Sequence, residues 1–396
     1  MTSAKRWILP DGVEEILPDE AYKLESLRRQ LLDLYASWGY RLVITPLIEY
    51  LESLLVGSSQ DLELHTFKII DQMSGRMMGI RADITPQAAR IDAHCLNKDG
   101  PVRLCYADSV VHTKPQGLLT SRVPIKVGAE LYGHAGVECD IELVCLMHAT
   151  LQAAQIGDLH IVLGHVGLFR SLVNEAKLNP ETQNVLFAAV QRKAYDEIDS
   201  VVNAAVSDGN LADLLKKLAR LSGDASVLDE AKLVFANAPA SVKRELADLV
   251  AIVAGVQQRI PDVELCFDLC ELRGFEYHTG IVFAAYTSNY GRAVAMGGRY
   301  DHIGEVFGRA RPASGFDCDL KTLARLTNKK FARPAAILAP VIDSVKLLVA
   351  ITKLRDAGEI VISDLQDKPG NGQTAAELGC DRQLVLEAGK WIVKQL

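Results

Sequence analysis

The chain of 396 residues has no long hydrophobic run. Apolar stretches such as Ala335-Ala-Ile-Leu-Ala339 fall far short of the roughly 20 residues a membrane helix needs, so no membrane partner is expected. The N-terminal Met1-Thr-Ser-Ala-Lys-Arg-Trp7 lacks an apolar signal core, which predicts a cytoplasmic protein. None of the eight cysteines forms a CxxC pair, and no matching His or Cys pair follows the nearest spacing, Cys266-x3-Cys270. Reduced thiols in apolar surroundings are expected rather than disulfides, zinc or any other metal site. No cluster of Lys and Arg stands out, and the net charge is −7, which argues against a nucleic-acid partner gripped by its phosphates. Internal repeats and low-complexity tracts are also missing.

What is present is the composition of a soluble globular protein, 49% hydrophobic and 23% charged, with length for two or three domains. The spacing of Leu24, Leu27, Leu31 and Tyr35 predicts an amphipathic helix from an Asp19 cap to about Ser37, ended by Gly39. A short strand, Arg41-Leu-Val-Ile44, then runs into Thr45-Pro46. Thr85 and Pro86 suit an N-cap and first helical position, beside Asp83. Val102 to Tyr106 and Val123 to Tyr132 read as a hairpin around the loop Lys114 to Arg122. A helix follows from Asp140 to about Ile156, and then a helix-rich block over about 165–260. Strands return at Val263 to Phe267, His278 to Ala285 and Arg292 to Ala295. After the linker Phe331-Ala-Arg-Pro334, residues 335–396 read as a small α/β module. Its strands are Ala335 to Ala339, Glu359 to Ile362, Gln383 to Leu386 and Trp391 to Lys394, with helices Asp343 to Ala357 and Thr374 to Leu378.

Chemistry concentrates in a few places. Glu130 sits among apolar strand residues, a costly position unless the carboxylate is partnered or faces water. The stretch Glu271-Leu-Arg-Gly-Phe-Glu-Tyr-His-Thr-Gly280 offers a guanidinium fork in Arg273, aromatic surface and polar tips in Tyr277 and His278, and tight turns at Gly274 and Gly280. Each residue also has an ordinary role open to it: Asp83 solvated, Arg273 paired with Glu276, Tyr277 in the core, His278 a satisfied, partly buried histidine. Joint order and spacing favour a binding site.

That stretch resembles the loop with which histidyl-tRNA synthetases hold histidine, of the type Arg-Gly-Leu-Asp-Tyr-Tyr-Thr-Gly. The helix, strand and proline around residues 19–46 resemble class II synthetase motif 1, which builds the dimer interface. Arg81-Ala-Asp-Ile-Thr85 resembles Arg-Pro-Glu-x-Thr, and Gly297-Gly-Arg-Tyr-Asp301 resembles a glycine-rich segment expected to be scaffold. The resemblance covers about residues 10 to 325. It implies an α+β class II core over 1–325, an antiparallel sheet flanked by helices, with the helical insertion at 165–260 and a tail shorter than an anticodon-binding domain. It also implies a histidine pocket of Asp83, Thr85, Glu130, Arg273, Tyr277 and His278. His278 replaces a Tyr of the family, and Lys126 stands near an expected Gln, placed to repel an ammonium or pair with a carboxylate.

Catalytic parts are missing from the same frame. Adenylation needs cations on the phosphates as charge builds there. The Phe-Arg-x-Glu pattern of motif 2 falls on Val110-Val-His-Thr113, with Val111 at the arginine position. The motif 3 segment is Gly315-Phe-Asp-Cys-Asp-Leu-Lys-Thr322, with Thr322 at the arginine position. A retained pocket, erased arginines and a short tail resemble the regulatory subunit of the two-protein form of ATP phosphoribosyltransferase, the first enzyme of histidine biosynthesis. That family implies no catalysis or cofactor of its own, a short catalytic subunit as partner in a four-plus-four hetero-octamer, self-association as a dimer, and L-histidine as feedback effector. The alternatives are a divergent histidyl-tRNA synthetase or other histidine-activating ligase, and a scaffold that binds no histidine.

Overall fold

The computed structural model describes residues 7–56, 60–115, 117, 120–272, 274, 277–365 and 374–396. Two compact units divide the chain, one ending at Lys329 and one starting at Lys330.

Strands of the first unit, in chain order, are β1 (Arg41–Leu42), β2 (Ile48–Tyr50), β3 (Phe67–Ile70), β4 (Met77–Ile80), β5 (Val102–Ser109), β6 (Ile125–Tyr132), β7 (Leu159–His165), β8 (Ser222–Gly223), β9 (Glu264–Asp268), β10 (Ile281–Thr287), β11 (Tyr290–Arg299) and β12 (Ala313–Asp319). Nine of them form one sheet in the order β1-β5-β6-β12-β11-β10-β7-β9-β8, while β2, β4 and β3 form a small antiparallel sheet. The central ladders from β5 to β7 are antiparallel, and the β1–β5 and β7–β9 pairs near the margins are parallel. Antiparallel pairing lets long-range segments meet edge to edge without crossover helices.

The helix Pro18–Ser37 buries Leu24, Leu27, Leu31 and Tyr35, as the spacing predicts. Tyr35 meets Phe316 of β12 edge-on at 6.2 Å, and its hydroxyl accepts from Thr150 on the helix Glu138–Ala153. Those two helices therefore cover one face of the sheet. Several local expectations are corrected. Leu17, not Asp19, is the cap residue of the first helix, and Asp19 lies in its first turn, where a negative charge suits the helix dipole. Thr85 is the first residue of the helix Thr85–Arg90 and not its cap, because its hydroxyl is engaged elsewhere. β1 is shorter than read, Cys95 is exposed, and β7, β12 and the small sheet were not anticipated. The helical block consists of six helices between Val166 and Arg259, with β8 among them.

The second unit carries β13 (Ala336–Ala339), the helix Val345–Asp356, β14 (Val361–Ser363), β15 (Cys380–Glu387) and β16 (Lys390–Gln395). Its sheet order is β14-β13-β15-β16, and Leu347 and Ile351 of the helix pack with Ile337, Val361 and Leu384. Thr374 to Leu378 forms a turn, not a helix.

Candidate functional site

The sheet face opposite Tyr35 and Phe316 holds a cavity of about 320 Å³. Register explains its floor. Leu104, Glu130, Gly315, Gly298, Val282 and Gly164 lie in one row across β5, β6, β12, β11, β10 and β7. Side chains alternate between faces along a strand, so this row and the row containing Asp317 and Met296 point the same way. Glycine supplies the space. A Cβ at Gly315 would overlap Glu130 Oε2 and the Tyr300 hydroxyl, and one at Gly298 would lie 2.6 Å from His278 Cδ2.

Of the six predicted site residues, Asp83, Thr85, Glu130, Tyr277 and His278 all line this cavity. Arg273 lies outside the described residues. Glu130 is 1% exposed. Its Oε1 accepts from Thr85 Oγ1 at 2.8 Å and Tyr106 OH at 3.0 Å, whereas Oε2 is buried without a partner among the described residues. Burial pushes its carboxyl well above the usual carboxylate range, against the pull of the two hydroxyls. Asp83 accepts through Oδ1 from the N–H groups of Ile84 at 2.6 Å and Thr85 at 3.3 Å. Burial also raises its pKa, the nearby Asp317 adds to that, and Lys126 opposes it.

An aromatic wall closes one end. Tyr277 lies against Tyr300 with the rings tilted by 33° and their centroids 4.9 Å apart, and it meets the ring of His278 edge-on at 5.4 Å. The hydroxyls of Tyr277 and Tyr300 are buried and, like Glu130 Oε2, have no partner among the described residues. Buried polar atoms are nearly always hydrogen-bonded, so three such atoms around one cavity mark it as a place for a polar guest.

The turn carrying Tyr277 and His278 is tied down on several sides. Both residues' N–H groups donate to Gly274 O at 2.8 Å, and Gly274 has φ +67°, a backbone region glycine enters without strain. Thr279 N donates to Arg299 O at 2.7 Å, Val166 N to Gly280 O at 2.9 Å, and Arg170 Nη2 to His278 O at 2.8 Å. Gly280 has another reason to be glycine, since a Cβ there would lie 2.9 Å from Arg299 Cδ.

Tyr300 and Asp317 are polar cavity residues that the sequence reading missed. Tyr300 belongs to the Gly297–Asp301 stretch read as scaffold. Arg299 does fill that role, pairing with buried Asp140 at 2.7 Å, but Tyr300 turns into the cavity. Asp317, in the segment that resembles motif 3, lines the cavity and pairs with Lys126 Nζ at 2.5 Å.

The residues read as motif 2 and motif 3 make hydrogen bonds of their own. Val111 N donates to Arg81 O at 3.0 Å, and Thr113 Oγ1 donates to Leu64 O at 2.7 Å. Thr322 Oγ1 donates to Asp319 Oδ2 at 2.8 Å, and Lys321 Nζ reaches Glu14 and Ser121, each at 3.2 Å.

Similarity to known proteins bears on this site. A family model for histidyl-tRNA synthetase matches residues 12–323, and one for the ATP phosphoribosyltransferase subunit HisZ C-terminal domain matches residues 334–394. An ATP phosphoribosyltransferase regulatory subunit from Stutzerimonas stutzeri is 52% identical, with all of both chains covered. The chain belongs to the ATP phosphoribosyltransferase regulatory subunit family. A regulatory subunit of that name from Thioalkalivibrio sulfidiphilus is 51% identical, again over the full length of both. Among solved structures, a Bacillus halodurans protein described as an ATP phosphoribosyltransferase regulatory subunit/histidyl-tRNA synthetase superposes with a TM-score of 0.81 at 26% identity, over 95% of this chain and 97% of that one. A histidyl-tRNA synthetase from Nostoc shares the fold, with a TM-score of 0.78 at 19% identity, over 98% of this chain and 97% of the other. The regulatory subunit family thus has a synthetase fold and, in this member, the cavity lined by Glu130, Tyr277 and Tyr300.

Proposed function

We propose that this chain acts as a non-catalytic regulatory subunit of ATP phosphoribosyltransferase and that its cavity senses L-histidine. The supporting observation is the pair formed by Glu130 and its surroundings: a buried carboxylate with one oxygen held by Thr85 and Tyr106 and the other bare, over a glycine floor and beside an aromatic wall. An imidazole N–H meets that oxygen, and the ring lies against Tyr277 and Tyr300. Asp83 receives the ammonium, and Arg273 the carboxylate.

Histidine binding favours one quaternary arrangement of four regulatory and four short catalytic subunits over another, in the cytoplasm, at the first step of histidine biosynthesis. A coupling of about 1–3 kcal/mol suffices for feedback of this kind. Adenylation is set aside because Val111 and Thr322 stand at the arginine positions, and losing even one preorganised donor costs ~10²–10³ in rate.

Calorimetric titration of the purified chain with L-histidine tests the reading, with Arg273→Ala and Glu130→Gln as controls. Saturable binding that both variants lose or weaken supports the sensor. A wild-type chain that takes no histidine reduces the cavity to a relic and leaves a scaffold, and histidine-dependent pyrophosphate exchange would restore the ligase alternative.

A further inference from the structure

Lys126 is a charged group of the cavity region to which the reading above gives no task. It lies on β6, on the same face as Glu130, and it reaches Asp317 from the neighbouring position on that face. Nζ is 2.5 Å from Asp317 Oδ1, with both side chains four-fifths buried. Asp317 lines the histidine cavity together with Asp83. Lys126 instead lines a smaller hollow of about 80 Å³ on the far side, and Asp317 and Met296 are common to both walls. The lysine therefore holds Asp317 from behind, without entering the cavity itself.

The charge count at this end of the cavity follows. Of the groups on the cavity wall, Asp83 and Asp317 contribute two carboxylates and Lys126, behind Asp317, one ammonium; Asp319, across from Lys126, lines only the hollow and accepts from Ile125 N, Lys321 N and Thr322 Oγ1. Burial works against the lysine charge, but Asp317 and Asp83 more than offset it and hold the ammonium above its usual value. One net negative charge is left to meet a guest. A neutral side chain at position 126 leaves two negative charges there, in surroundings where charges several ångströms apart still interact appreciably.

We propose that Lys126 is a specificity-determining residue of this cavity: a resident cation that neutralises Asp317, so that the ligand's ammonium is received by Asp83 alone and the ligand's carboxylate is tolerated. The inference rests on the histidine reading of the cavity. It assigns Lys126 neither a ligand contact nor a purely structural part. The lysine sets the balance between cationic and anionic groups at the amino-acid end of an imidazole ligand. Its presence weakens the grip on the ammonium, which keeps the bound amino acid in exchange with the free pool.

The test compares three ligands that share the imidazole: L-histidine, histamine (ammonium only) and imidazole-4-propionate (carboxylate only). Each is titrated calorimetrically into the full-length wild-type chain, Lys126→Gln, Lys126→Arg and the double variant Lys126→Gln/Asp317→Asn. In Lys126→Gln the ratio of histamine affinity to imidazole-propionate affinity is expected to rise about tenfold or more. Lys126→Arg keeps the wild-type ratio, and the double variant returns to it, because both restore one net negative charge. A lysine that only held the fold together would weaken all three ligands alike and leave the ratio unchanged, and that result overturns the proposal. If Lys126→Gln does not fold, Asp317→Asn decides: it leaves the Lys126 ammonium unopposed, so the ratio should fall about tenfold, and an unchanged ratio overturns the proposal. Failure of the wild-type chain to bind L-histidine overturns the cavity reading and this role together, whereas binding with an unshifted ratio overturns only the role of Lys126.

Discussion

Thr85 Oγ1 donates to Glu130 Oε1 at 2.8 Å, which fixes the carboxylate so that its second oxygen stays buried and bare at the cavity floor. A threonine on a helix start and a glutamate 45 residues later on a strand thus form one device. The fold bears the cost of an underpartnered carboxylate, and a guest donor recovers it. Glu130→Gln is expected to weaken L-histidine roughly 10- to 100-fold by calorimetry, because the guest then meets an amide where the bare carboxyl oxygen stood.

The same substitution carries a pH signature in the free protein. Burial raises the Glu130 pKa above its unfolded value of 4.5, so its stabilising contribution is complete below about pH 4.5 and is lost as pH rises through the folded value. Glu130→Gln should therefore match wild type in acid and become the more stable of the two toward neutrality. Paired urea melts across pH check this, and a constant difference at all pH values contradicts it.

Gly315→Ala places a methyl group onto Glu130 Oε2 and the Tyr300 hydroxyl. Histidine binding should be abolished, with a stability loss of about 1–3 kcal/mol from overpacking. Calorimetry with a parallel thermal melt separates the two effects. Retained binding at unchanged affinity would show that the guest does not approach this floor.

Arg170 reaches from the helix Val166–Glu175 to the His278 carbonyl at 2.8 Å. Removing that bond in Arg170→Ala loosens the turn that carries Tyr277 and His278. Histidine affinity is expected to fall about tenfold, with Arg170→Lys recovering part of it. Hydrogen exchange at residues 274–280 should rise in the alanine variant, and no change there would remove the assigned cause.

His165 is buried, and its Nδ1, 3.7 Å from Glu245 Oε2 and beyond hydrogen-bond reach of it, has no hydrogen-bond partner among the described residues. Burial, with the charge of Arg299 adding to it, pushes the imidazole down to about 3. The unfolded chain takes up the proton near 6.5 and the folded chain does not, so stability is full above 6.5 and falls with pH below it. Wild type should lose roughly 3 kcal/mol relative to His165→Gln between pH 6.5 and about pH 4. Urea titrations over that range measure the difference.

Much of this protein was legible in one dimension. Leu24, Leu27, Leu31 and Tyr35 mark a buried helix face because i, i+3 and i+4 neighbours share a side whatever else the chain does. Asp83, Thr85, Glu130, Tyr277 and His278 were legible as a set because their order and spacing match a known amino-acid pocket. Other features depend on partners far away in the chain. Whether Glu130 points inward or to water turns on strand register, since a slip of one residue exchanges the two faces. Opposite Glu130 stands Gly315, 185 positions on, and that pairing opens the cavity floor. Tyr300 reads as scaffold until β11 and β12 set it beside Glu130 Oε2. Lys126 has no visible partner until Asp317 arrives from β12. Helical periodicity, composition and the order of the motifs are local properties that the amino-acid sequence determined alone. The bare oxygen, its glycine floor and the lysine behind Asp317 were decided only by tertiary structure, because they arise from strand pairings between segments that have no contact until the sheet forms.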